Sequence, residues 1–128
     1  MRQSTNFIAL LLLVWASLSA TPAHAAEQVK LIVDYGDGVQ KQFTELAWKE
    51  GLTVLAATQA AQEHPRGITI KVRSSGSTAF LTQIDDVKNE GNGKNWIFRV
   101  NGKLSDRSCG IYKLNDGDTV LWRFQTYE

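Results

Sequence analysis

The sequence predicts an α+β domain: one helix packed on a mixed β-sheet of about five to six strands. Three observations lead there. Near the carboxyl end, Trp96, Phe98 and Val100, and again Val120, Trp122 and Phe124, alternate with residues of another character, the period of strands with one better-buried face. Early in the chain, Asp37-Gly38 separates two alternating runs, a hairpin signal. Between these regions lies a single alanine-rich stretch, bounded by Thr53 and Pro65, with helical spacing of its apolar residues.

The first residues read as a targeting segment. Arg2 supplies a positive n-region, Phe7 to Val14 an apolar run, and Ala23-His24-Ala25 a small-x-small cleavage site. Residues 1–25 are therefore expected to be a signal peptide, and residues 26–128 one exported domain, secreted or periplasmic. Their apolar run is short for a membrane span, and none is expected after cleavage. Cleavage leaves 103 of the 128 residues, enough for a single core. Losing Arg2 leaves 13 basic and 13 acidic residues, and a neutral chain makes no electrostatic case for nucleic acid or an anionic membrane. With one cysteine, Cys109, no internal disulfide can form, so packing must hold the fold.

Along the domain, Val29, Leu31, Val33 and Tyr35 form one face of a first strand. After the Gly36-Asp37-Gly38 turn, Val39, Lys41 and Phe43 begin its return, and Leu46 and Trp48 close the unit. Thr53 suits a helix N-cap, and Pro65 stops the helix near His64. Val54, Ala57 and Ala61 share a stripe, with Leu55 beside it, and the alanines permit close approach to a sheet. About three turns are marginal alone and need packing. Gly67 to Arg73 reads as a third strand, with Ile68, Ile70 and Val72 inward. Ser74-Ser75-Gly76-Ser77 turns the chain into Thr78 to Ile84. The polar, glycine-bearing stretch from Asp85 to Lys94 is expected to be the most mobile loop. A hairpin followed by a helix is the β-grasp order, and the crossover lets the first strand lie parallel to a late one.

Chemistry-bearing motifs are few. The chain has no P-loop, GxGxxG, HExxH or GxSxG, no terminal Gly-Gly, and too few cysteines for an iron–sulfur cluster. Asp85, Asp86 and Glu90, or Asp116 and Asp118, lack the pattern of a calcium loop and read as solvated acids. Cys109 reads as a buried, inert thiol; the alternatives are a reactive thiol, half of an intermolecular bridge or a metal-binding sulfur. A Cys–His pair would need His64, and no orienting group is evident. Trp96, Phe98, Trp122 and Phe124 at strand spacing read as core, with ring stacking on a ligand as the alternative. Asn101-Gly102-Lys103 reads as a hairpin turn, with anion recognition as the alternative. Arg99 and Arg123, on outward positions, form a small cationic face or pair with acids such as Asp34.

Gly51-x-Thr53-Val54-Leu55-x-Ala57, Trp96-x-Phe98-x-Val100-Asn101-Gly102 and Tyr112-x-Leu114-x-Asp116-Gly117-Asp118-x-Val120-x-Trp122 together resemble the transcobalamin-like C-terminal domain. The resemblance runs from about Val29 to Tyr127. That family includes secreted bacterial domains of unassigned function and the small β-domain that closes over vitamin B12 in transcobalamin and intrinsic factor. The resemblance implies a non-enzymatic binding module with no catalytic residues, no resident metal or cofactor, and a corrinoid such as cobalamin as ligand. It places the working edge at Trp96, at Asn101, Gly102, Lys103 and Leu104, and at Ser108, Cys109, Gly110, Ile111 and Tyr112. The vitamin carriers enclose their ligand with a large helical barrel that this chain lacks, so a second subunit or envelope protein is expected to complete the site. The alternative is a β-grasp module for extracellular polysaccharide or protein. Fold alone does not choose between them.

Overall fold

The computed structural model describes residues 27–127. The expected signal peptide lies outside them. Among the described residues, eight strands and one α-helix follow in the order β1 (Gln28–Asp34), β2 (Gln40–Ala47), α1 (Val54–Gln62), β3 (Ile70–Arg73), β4 (Phe80–Ile84), β5 (Val87–Lys88), β6 (Lys94–Val100), β7 (Lys103–Leu104) and β8 (Thr119–Thr126), with a 3-10 turn at Gly76–Thr78. The fold is mixed α+β, as predicted, but the strands form two sheets. Five make a sheet of order β2-β1-β8-β6-β7, and three make a smaller one, β3-β4-β5.

In the larger sheet β1 and β8 run parallel, and every other pairing is antiparallel. The alternation read from the sequence sets the register. Trp96 faces Phe124, Phe98 faces Trp122 and Val100 faces Val120, while Val33 lies beside Trp122 on the parallel side. These residues, with Val29 and Leu31, are buried. The rings contact one another at centroid distances of 5.3 Å for Trp96–Phe124 and 5.0 Å for Phe98–Trp122. Cross-strand aromatic pairs of this kind stabilise a sheet beyond the area they bury.

The helix covers this face. Thr53 caps it as predicted, its side chain accepting from Ala56 N at 3.1 Å. Val54, Ala57 and Ala61 are buried, and so is Thr58, which the stripe omitted. The Thr58 hydroxyl donates to Val54 O at 2.7 Å and accepts from Trp122 Nε1 at 2.9 Å. The helix is thereby fastened to the middle of the sheet at a point where an indole N–H would otherwise lack a partner. Beyond the helix, the residues before Pro65 leave the helical path, as expected.

Several expectations need correction. Val39 is exposed, in the turn before β2. A bulge in the β1–β2 pairing lets Phe43 and Leu46, three residues apart, both face inward. The third strand begins at Ile70, not Gly67, and it does not join the main sheet. The stretch from Asp85 to Lys94 contains β5 and is densely hydrogen-bonded. Asp85 there accepts from the Tyr35 hydroxyl, from Lys41 Nζ at 3.1 Å and from Thr69 N at 3.0 Å, joining the first hairpin to the small sheet. Asp85 is thus no solvated loop acid.

Two predictions follow from these contacts. Thr58→Val keeps the helix shape but leaves the Trp122 indole N–H buried and unpaired, and should cost about 1–3 kcal/mol in urea denaturation. An unchanged urea midpoint would contradict this role. Burial pushes the Asp85 carboxyl up, but hydrogen bonds from Tyr35, Thr69 and Lys41 outweigh it and hold the pKa below the ordinary value. A depressed carboxylate stabilises the fold above its unfolded pKa of about 4, and the contribution is lost as pH falls through the lower folded value. Asp85→Asn should therefore lose about 1 kcal/mol at neutral pH and show a shallower acid limb. An acid limb as steep as the parent's would contradict it.

Candidate functional site

The structure divides the sequence-predicted working edge into parts with different duties. Asn101 and Gly102 form the β6–β7 hairpin turn, both with positive φ, at 51° and 83°. The Asn101 side chain is already engaged. Its Nδ2 donates to Asp118 Oδ1 at 2.8 Å, and its Oδ1 accepts from Thr119 N at 2.9 Å. Asp118 is itself buried and also accepts from Asn115 N at 2.8 Å, so this acid, like Asp85, is a structural clasp. Lys103 and Leu104 are exposed on the short edge strand β7.

The segment from Ser108 to Tyr112 serves the helix. Val54 N donates to Tyr112 O and Leu55 N to Cys109 O, each at 2.9 Å. The first N–H groups of a helix have no partner within it, and here two of them are satisfied by this segment's carbonyls. Leu114 N donates to Leu52 O at 2.8 Å and extends the contact. Ser108 Oγ donates to Ala79 O at 2.6 Å. Gly110 packs so closely on the turn at Gly76 that a Cβ would collide with Gly76 O. Tyr112 packs edge-on against Phe98, with Arg107 over its ring. Ile111 is exposed.

Cys109 is 2 % exposed, and its Sγ lies 4.0 Å from Ala79 O. Burial pushes its thiol pKa up, the opposite of what a nucleophilic or metal-binding sulfur needs. His64 packs against Phe43 and accepts from Arg66 N through Nδ1. Among the described residues no three His, Cys, Asp or Glu side chains come together to hold a metal ion. Arg123 pairs with Asp34 at 3.1 Å, and Arg99 donates to Gln125.

What the sequence did not reveal is a cleft between the two sheets. Strand β7 pairs only with Arg99 and Val100, so the rest of β6 has no strand on its outer side. Asn89 bridges part of the gap: its Nδ2 donates to Leu81 O and its Oδ1 accepts from Trp96 N. Beside that bridge lies an apolar hollow of about 160 Å³, lined by Phe80, Leu81, Trp96, Phe98, Leu104 and Cys109 among others. It adjoins a more polar hollow of about 590 Å³ lined by Lys71, Arg73, Lys88 and Asn95, and the two share Phe80, Trp96, Ile97 and Tyr127. Of the predicted edge, the cleft gathers Trp96, Leu104, Ser108 and Cys109; Asn101, Gly102, Lys103, Gly110, Ile111 and Tyr112 do not line it. Trp96 is 4 % exposed and its Nε1 donates to Val87 O at 2.9 Å, so it forms a fixed wall.

No curated protein matches this chain. Among solved structures, a candidate metal-binding protein from Ruminococcus gnavus ATCC 29149 superposes with a TM-score of 0.60 at 14 % identity, over 80 % of this chain and 99 % of that one. Haptocorrin in complex with Cbi superposes with a TM-score of 0.62 at 20 % identity, over 84 % of this chain and 27 % of that one. At these identities the likeness is one of fold, and this chain corresponds to about a quarter of haptocorrin. A family model described as "Domain of unknown function (DUF4430)" matches residues 51–126, from the helix entry through β8, and the chain belongs to that family.

Proposed function

We propose that this chain is an exported, non-enzymatic, β-grasp-type ligand-binding module that takes a corrinoid as one half of a composite site. The observation that carries the reading is the likeness of most of the chain to part of haptocorrin, a structure solved with Cbi. Two features of the chain support it. The hollows beside β6 open to solvent, and a site that buries a ligand on one side needs a second wall. The exposed side chains Phe80, Leu104 and Tyr127 surround the apolar hollow and offer contact area to such a wall. The second wall is assigned to a separate subunit or envelope protein.

Titration of the chain with hydroxocobalamin, followed by visible absorbance and calorimetry, tests the corrinoid reading. Saturable heat and a spectral shift are expected, strengthened when an envelope extract supplies the partner. Absence of either signal at high micromolar ligand, with and without the extract, would contradict it.

A further inference from the structure

We propose that the cleft between β4 and β6 is a binding site for a small amphiphilic anion, one six-membered ring bearing a carboxylate or a phosphate. This inference rests on the reading of the chain as a ligand-binding module, and it does not require that the ligand be a corrinoid.

Size argues for the ring. The apolar hollow holds about 160 Å³ and is lined by Leu81 of β4 and by Trp96 and Phe98 of β6. An apolar cavity of about 150 Å³ accommodates one benzene molecule. Trp96, Phe98 and Trp122 are buried, fixed by their own packing, and form the rigid inner wall of the hollow.

Charge argues for the anion. The adjoining hollow is lined by Lys71, Arg73 and Lys88 and by no acidic residue among those described. None of the three forms a salt bridge within the described residues, as is true of most of the described cations. The chain as a whole is close to neutral, with 14 basic and 13 acidic residues. Three cations lining one hollow, with no acidic residue among its described lining residues, are a local surplus. Arg73 lies 5.2 Å from the Phe80 ring centroid, so the cationic and aromatic surfaces meet at the junction of the two hollows.

An extended peptide fits less well. A partner strand would need the outward backbone groups of β6, but Trp96 N donates to Asn89 Oδ1 at 2.8 Å and Phe98 O accepts from Ser105 N at 3.3 Å. Recognition through a ring and a charge leaves both bonds intact.

The test is an amide and indole NMR titration of the mature chain with 3-phenylpropionate, phenyl phosphate and neutral 3-phenylpropanol. Lys71→Ala/Arg73→Ala/Lys88→Ala is titrated in parallel; all three side chains are exposed, so the fold should survive. The two anions should shift the Trp96 and Trp122 indole signals and the Ile97 amide, about tenfold more tightly than the alcohol. The triple substitution should abolish that preference, and whichever anion binds more tightly identifies the head group. Equal affinity for the alcohol, shifts confined to another surface, or no shift at millimolar concentration would overturn the site. Hydroxocobalamin binding without phenylpropionate binding would overturn this inference alone, and the reverse would overturn the corrinoid reading alone.

Discussion

The fold depends on how a nine-residue helix is held at its amino end. Such a helix is marginal by itself, and its first N–H groups need acceptors from elsewhere. Thr53 supplies one locally; the carbonyls of Cys109 and Tyr112, more than fifty residues later, supply two more. This contact fixes the irregular segment that precedes β8. It thereby helps position the strand that runs parallel to β1 at the centre of the sheet. The second fastening, Thr58 to Trp122, joins the same helix to the same strand from its middle. Without the two, the alanine face of the helix would have little to determine its orientation on the aromatic face below.

Polar clasps hold the rest in a domain with one buried cysteine and no disulfide among the described residues. Asp85 links the first hairpin to the small sheet, and Asp118 links the Asn101 turn to the entry of β8. Burial and the neighbouring Asp85 carboxylate raise the Tyr35 hydroxyl pKa well above its ordinary value, so it remains a donor throughout the physiological range. Each clasp joins segments far apart in the chain, and together they hold turns whose composition is polar enough to be loose.

Local signals in the sequence were legible because they express local geometry. The period of two at Trp96–Val100 and Val120–Phe124, the Asp37-Gly38 hairpin, the Thr53 cap and the Pro65 stop each need only a few neighbouring residues. What the sequence hid depends on partners distant in the chain. Phe43 and Leu46 share a face only because of a bulge against β1. Asp85 looks solvated until Tyr35, fifty residues earlier, reaches it. The three strands after the helix form their own sheet, which meets β6 through the Asn89 side chain and not through strand pairing. The hollows beside β6 were hidden for the same reason. Cys109 and Tyr112 look like a glycine-bearing loop at a rim, yet their carbonyls are used in capping the helix, and a hollow that no local pattern announces lies between the sheets.

That division of duties, a structural segment at Ser108–Tyr112 and an open cleft along β6, is the central claim. Native-state hydrogen exchange at Val54 and Leu55 tests it most directly, because their amides report the bonds to Tyr112 and Cys109. Protection close to that of the β1 and β8 amides is the result this account predicts. Exchange as fast as in an exposed turn would show that the segment leaves the helix readily, and would return the working surface to the 101–112 edge.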